Sequence, residues 1–280
     1  MKTVCSIPNF LRGLQSKSRE LLIRYAFAQF LTAAHVPITI TGDTSTWNKA
    51  GKGALFIGDH RNGLEYFLLL ATMGYVGRDD IKVIAKPYSL SVRLTEALDV
   101  HHGEYALAVI PNTLASDRRN IFNRDIGMRL LYRRELSTQN EAKAINATAM
   151  KDAASFLSHG HVVGIYPTGG VKCATTSDWY RGVGEIIKLL PEEARERVVI
   201  VPFQFDHFTQ FQLICALWLH SKGHTRKQRT IELHLGKQLT VADFLASEAI
   251  DCSDTRLVTE RLRTRYIQDF TPNDDVKIYY

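Results

Sequence analysis

The chain has few of the features that would assign it quickly. Its 280 residues hold four cysteines, Cys5, Cys173, Cys215 and Cys252. They form no CxxC pair and no zinc spacing, which excludes a disulfide scaffold and a zinc ribbon and leads us to expect reduced thiols in a cytoplasmic protein. No window supplies the roughly 20 consecutive apolar residues that a membrane-spanning helix needs. The nearest, residues 25–42, is interrupted by Gln29, His35, Pro37 and several threonines. No apolar h-region follows the N-terminal Lys2, so no secretory signal is expected. Internal repeats and low-complexity tracts are absent as well. What is present is ordinary for a globular protein: 45% hydrophobic residues, 23% charged residues and a net charge of +6. A chain of this length can bury a full core, and its basic balance suits anionic partners.

The pattern divides the chain into an N-terminal helical segment, residues 1–36, and an α/β domain, residues 37–280. Leu11, Leu14, Leu21, Leu22 and Tyr25 recur at helical spacing across residues 9–35, with basic residues between them. This segment reads either as a packing helix or as a basic amphipathic helix resting on a membrane. Strands and helices then alternate. Strands are expected at residues 38–41, 54–57, 82–85, 105–110, 162–166, 198–205 and 230–235. Helices are expected at residues 64–73, 142–157 and 184–190, and a last one through Ile267 capped by Ser253 or Asp254. Such alternation predicts an α/β fold, a sheet flanked by helices.

Two segments at strand ends carry chemistry-bearing residues, where α/β proteins place their sites. The first is Gly58-Asp59-His60-Arg61-Asn62-Gly63-Leu64-Glu65. A His and a carboxylate five positions apart do not share a helix face. They meet only if His60 lies in the loop and Glu65 in the first turn of the helix, with Asn62-Gly63 turning the chain. A carboxylate on one imidazole nitrogen fixes the tautomer and makes the other nitrogen a better base. A structural His satisfies the same spacing. The second segment is Tyr166-Pro167-Thr168-Gly169-Gly170-Val171-Lys172. Its glycines admit a close backbone approach or an anion nest, and Lys172 offers a point charge for a phosphate. A tight turn with a solvated Lys satisfies it too, and the spacing is not that of a Walker A loop.

Taken together and in order, these segments resemble the glycerolipid acyltransferases, the glycerol-3-phosphate and lysophosphatidate acyltransferase superfamily. His60…Glu65 is similar to their H-x4-D block, and Tyr166-Pro167-Thr168-Gly169-Gly170 to their F-P-E-G-T-R block. The segment Lys86-Pro87-Tyr88-Ser89-Leu90-Ser91-Val92-Arg93-Leu94 resembles the K-P-F-S-M-G-R-N-L of the soluble, plastid-type glycerol-3-phosphate acyltransferases. Tyr180-Arg181-Gly182-Val183-Gly184 and Val201-Pro202-Phe203 match later blocks. The resemblance implies a mixed sheet flanked by helices with a small helical N-terminal part. The implied reaction is acyl transfer from an acyl-carrier-protein or coenzyme A thioester to an acceptor hydroxyl. His60 would be the general base and Glu65 its orienting acid, with Lys86, Arg93, Thr168, Gly169, Gly170 and Lys172 binding substrate. The thioester is a co-substrate; no cofactor or metal is implied, and no nucleic-acid partner.

This chain departs from the pattern at several positions. Glu65 replaces Asp, and Thr168 replaces the Glu of the commoner block. Val171 and Cys173 stand where the plastid-type enzymes carry two phosphate-binding arginines, and Pro111-Asn112-Thr113 where they carry a Lys-His pair. The departures point to a less anionic acceptor, or to phosphate contacts from Lys86, Arg93, Arg118 or Arg119. They also permit an alternative reading, a non-catalytic acyl- or lipid-binding protein on the same fold. Three further features are weighed against plain structural roles. The pairs His101-His102 and His159-Gly160-His161 read as surface or strand-edge residues rather than metal ligands. The basic residues from Arg118 to Arg134 read as a solvated helix face, or as a receptor for the phosphates of coenzyme A or the acidic surface of a carrier protein. The apolar segment from Phe208 to Leu219 reads as core or as a lip touching an anionic membrane.

Overall fold

The computed structural model describes residues 38–49, 51–61, 65–78, 80–85, 106–109, 139–169, 172–206 and 230–271. The expected helix at residues 9–35, the basic run from Arg118 to Arg134 and the segment from Phe208 to Leu219 lie outside the described residues. The elements, in chain order, are β1 (Ile38–Thr41), β2 (Ala54–Gly58), α1 (Glu65–Tyr75), β3 (Ile81–Ala85), β4 (Ala106–Ala108), α2 (Gln139–Ser158) and β5 (Val162–Ile165). They continue with α3 (Gly182–Leu189), α4 (Glu192–Arg195), β6 (Val199–Asp206), β7 (Ile231–Leu235), β8 (Leu239–Thr240), α5 (Val241–Glu248) and α6 (Thr255–Phe270). The fold is a mixed α/β sheet flanked by helices, as expected.

The sheet runs β1-β7-β6-β2-β5-β3-β4, with β8 added against β6. Strands β6, β2, β5, β3 and β4 are parallel, whereas β7 is antiparallel to β6 and carries β1 parallel to itself. The central strands are apolar throughout: ALFIG in β2 and VVGI in β5 are buried at every position. Parallel strands covered on both faces require this composition. Edge strand β1 instead alternates half-buried isoleucines with exposed threonines. Phe56, Val83, Val201 and Phe203 face one core with Leu68 and Leu69 of α1. Leu55, Ile57, Val163, Ile165 and Ile200 face a second core with α2, α3, α5 and α6.

Side-chain caps begin α5 and α6, and only the second was expected. Asp254 accepts the Leu257 N–H at 3.0 Å and starts α6. Helix α5 escaped the sequence reading, although its signal was present. Thr240 accepts the Asp243 N–H at 3.0 Å and donates to the Asp243 carboxylate at 2.7 Å, a variant of the capping box.

Below the sheet's N-terminal end, Arg78 is only 6% exposed. Its guanidinium donates to Trp47 O (2.6 Å), Lys49 O (3.3 Å), Lys52 O (3.2 Å) and Gly160 O (3.0 Å), and it grips Asp80 at 2.8 and 3.0 Å. One planar fork thus ties two loops to the start of β3, which a Lys point charge cannot do.

Candidate active site

The parallel strands β2 and β5 lie side by side, Ile57 opposite Ile165, so the segments that follow them emerge at the same sheet edge. That edge is where open α/β sheets bind ligands. His60 is in the loop after β2, and Glu65 is the first residue of α1. His60 Nδ1 lies 3.0 Å from Glu65 Oε2; the carboxylate is 3% exposed and the imidazole 21%. The N-terminal end of a helix favours a negative charge, so α1 supports Glu65 in its ionised form. An acid accepting from Nδ1–H leaves Nε2 as the unprotonated nitrogen. The pair predicted from the odd five-residue spacing is therefore formed, in the loop-plus-first-turn geometry. The Asn62-Gly63 turn itself falls outside the described residues.

Lys172 joins the same loop through an isolated antiparallel bridge to His60. Directly opposed residues in such a bridge project to the same face, with Cβ atoms about 5 Å apart. Lys172 is exposed, and no carboxylate is paired with its ammonium among the described residues. The residues flanking the bridge point the other way and form a second cluster. Asp59, 3% exposed, accepts the N–H of His60 at 2.9 Å and of Ala174 at 2.8 Å, and takes Arg61 Nε–H on its other oxygen. Burial pushes the Asp59 carboxyl above its ordinary value, against the pull of the Arg61 charge and the Ala174 N–H. Cys173 belongs to this cluster. Burial raises its thiol, but hydrogen bonds from Thr175 and Thr176 outweigh that and hold it below the ordinary range.

The Thr168-Gly169 turn differs from a bare ligand cradle. Thr168 is 1% exposed, with its own interactions inside the protein, so its hydroxyl is not offered to a substrate in this conformation. Gly169 has φ +64°, and a Cβ there would lie 2.6 Å from the Tyr180 ring. The glycine is needed by the turn and by Tyr180, independently of any ligand. Tyr180 N–H donates to Pro167 O at 2.8 Å and Trp179 Nε1–H to Ala174 O at 2.9 Å, so the loop from 166 to 180 is closed on itself.

Of the eight predicted site residues, five are described. His60, Glu65 and Lys172 come together, Thr168 is buried, and Gly169 underlies Tyr180. Lys86, Arg93 and Gly170 lie outside the described residues, as do Arg118, Arg119, His101 and His102. His159 Nδ1 lies 2.7 Å from Ser155 O, and His161 stacks on Phe156 and pairs with Asp80 at 3.2 Å. Sequence reasoning missed Asp59, which takes two backbone N–H groups and the Arg61 guanidinium. It gave no role to Tyr166, whose ring stacks on the His60 imidazole with centroids 4.7 Å apart and planes 28° apart. A small apolar cavity lined by Ile57, Trp179, Ile200, Pro202, Phe244 and Tyr266 lies on the α5–α6 face. Tyr166 belongs to the opposite, α1 face, so that cavity takes no part in this site.

No family model matches the chain, and no curated protein matches it. Among solved structures it is similar to a 1-acyl-sn-glycerophosphate (LPA) acyltransferase, PlsC, from Thermotoga maritima. The likeness covers 92% of this chain and 86% of that one, at 13% sequence identity and a TM-score of 0.46. A likeness at that level carries no weight for the chemistry, which rests on the residues themselves.

Proposed function

We propose that this protein is an acyltransferase that moves a fatty acyl group from an acyl-carrier-protein or coenzyme A thioester to an acceptor hydroxyl. The observation that carries the reading is the His60–Glu65 pair, with a partly open imidazole at the C-terminal strand edge and the exposed Lys172 opposite it on the same face. The ordered sequence blocks support it.

In this reading His60 Nε2 takes the hydroxyl proton as the acceptor oxygen attacks the thioester carbonyl carbon. The tetrahedral intermediate collapses by breaking the C–S bond. The proton passes from the imidazolium to the departing sulfur, giving an ester and a free thiol. Glu65 holds the ring and balances the imidazolium charge. No acyl-enzyme forms, and Cys173, on the other face of the bridge, has no part. Lys172 is placed to draw an anionic group of either substrate, and Lys86, Arg93 and Gly170 complete the binding residues. The acceptor class is glycerol-3-phosphate, a lysophospholipid or a related, less anionic hydroxyl compound. We place the protein in the cytoplasm, with peripheral contact to a membrane when the acceptor is a lysolipid; no described helix is long and apolar enough to cross one.

The test is acceptor-dependent thiol release from palmitoyl-CoA and palmitoyl-acyl-carrier-protein, with glycerol-3-phosphate, lysophosphatidate and neutral polyols as acceptors. The parent releases thiol, and His60→Ala loses roughly 10²- to 10⁴-fold, the range of a general base. Glu65→Asp shortens the support by about 1.5 Å and loses roughly 10- to 100-fold in kcat. Thioester binding without release for any acceptor would favour the alternative, a non-catalytic acyl-binding protein, which the Glu65 and Thr168 departures permit.

A further inference from the structure

The His60 imidazole is the last ring of an aromatic column that begins in the core. Trp47 meets Phe56 at 5.0 Å and 88°, Phe56 meets Phe203 at 5.8 Å and 57°, Phe203 meets Tyr166 at 5.9 Å and 69°, and Tyr166 meets His60 at 4.7 Å and 28°. The contributors come from the loop after β1, from β2, from β6 and from the end of β5. Trp47, Phe56 and Phe203 are wholly buried and Tyr166 is 9% exposed. Gly58 makes room for the column. A Cβ on it would lie 2.2 Å from the far edge of the Phe203 ring, so the last residue of β2 is bare where Phe203 passes toward Tyr166.

The column supplies what the carboxylate lacks. One hydrogen bond at Nδ1 fixes the ring's rotation in its own plane but leaves it free to tilt about the Nδ1···Oε2 line. A stacked face removes that tilt, and the edge of Phe203 in turn fixes Tyr166. Edge and offset contacts between rings are directional, whereas aliphatic packing is not. The Tyr166 hydroxyl is not needed for this. It is buried with no hydrogen-bond partner among the described residues, and burial, with the Glu65 charge, holds the phenol well above its ordinary value and hence neutral.

We propose that Tyr166, backed by Phe203, is the positioning residue that sets the tilt of His60 and so aims Nε2 at the acceptor proton. The proposal rests on the acyl-transfer reading for its kinetic readout. Displacement of a catalytic group by about 1 Å costs on the order of 10²-fold. Tyr166→Leu is expected to lower kcat roughly 10- to 100-fold while KM for palmitoyl-CoA and for the acceptor stays within about twofold. Tyr166→Phe is expected to restore kcat to within about twofold. Phe203→Leu, which removes a ring that does not touch His60, is expected to lower kcat by a smaller factor with KM again unmoved, and it decides the matter if Tyr166→Leu does not fold. The low-field proton resonance of His60 Nδ1–H is expected to stay sharp in Tyr166→Phe and to broaden in Tyr166→Leu. Retained kcat in Tyr166→Leu, equal losses in the Leu and Phe variants, or a rise in KM that accounts for the loss would overturn the proposal. A parent without acceptor-dependent thiol release refutes the acyl-transfer reading instead. The comparison of proton resonances then still tests the column.

Discussion

Asp59 shows how much one buried carboxylate carries. Two backbone N–H groups from separate segments and one guanidinium share it, and burial makes its charge costly. Replacing it by Ala leaves all three donors without their acceptor. Asp59→Ala is expected to lose more than the Asn variant, about 1–3 kcal/mol for each of the two backbone N–H groups left without an acceptor. Asp59→Asn keeps an oxygen for the two N–H groups but sets an amide NH2 against the Arg61 Nε–H, losing that hydrogen bond with the charge, so it loses about 1–3 kcal/mol. Urea midpoints at constant m-value separate the two, and equal losses would mean that the backbone bonds contribute little. His60 and Glu65 were legible in the sequence because a His and an acid at non-helical spacing next to an apolar strand admit one local geometry. Asp59 was not, because its partner Ala174 lies 115 positions away. The burial of Thr168 was not legible for the same reason: a small hydroxyl residue beside two glycines looks open, and tertiary packing covers it.

At the level of elements, the strands were legible as apolar runs and most helices as periodic ones. Helix α5 is short, and its cap lies directly after the two-residue strand β8, so no run of adequate length marked it. The joints between elements were not legible at all, and the Arg78–Asp80 clasp is the clearest. Arg78→Met breaks the buried pair and strands four carbonyl contacts, with an expected loss of about 3–5 kcal/mol. The clasp also has a signature in pH. Burial opposes the Asp80 charge, but the hydrogen bonds and charge of Arg78, with His161, prevail and hold its carboxyl below the ordinary value. A group depressed in the folded state binds its proton more readily when unfolded. Its contribution is therefore complete above the unfolded value, about 3.9, and is lost as pH falls through the lower folded value. Thermal melts between pH 6 and pH 2.5 are expected to show a steeper acid loss in the parent than in Asp80→Asn. Parallel curves would show that Asp80 titrates alike in both states.

For the molecule as a whole, the sequence pattern predicted the α/β class, and the family resemblance implied a mixed sheet, but neither gave its order. The alternation of strands and helices leaves open which neighbours pair. Here β1 pairs with β7, so that Thr41 meets His234 across 193 positions of chain. The early strand has no other partner among the described residues. That distance has a consequence for the protein as it is made. While a nascent chain grows, β1 and the β7-facing edge of β6, which carries Phe203 and Phe205, both wait uncovered until residues 231–235 have been synthesised. Bare strand edges recruit one another between molecules. A chain ending at residue 229 is expected to sediment as aggregate during cell-free translation, whereas the full-length chain stays in the supernatant. Equal recovery of the two would mean that β1 needs no late partner. Translation speed ahead of the codons for β7 would then set the yield of active protein, since every pause before β7 lengthens the time those two edges spend exposed.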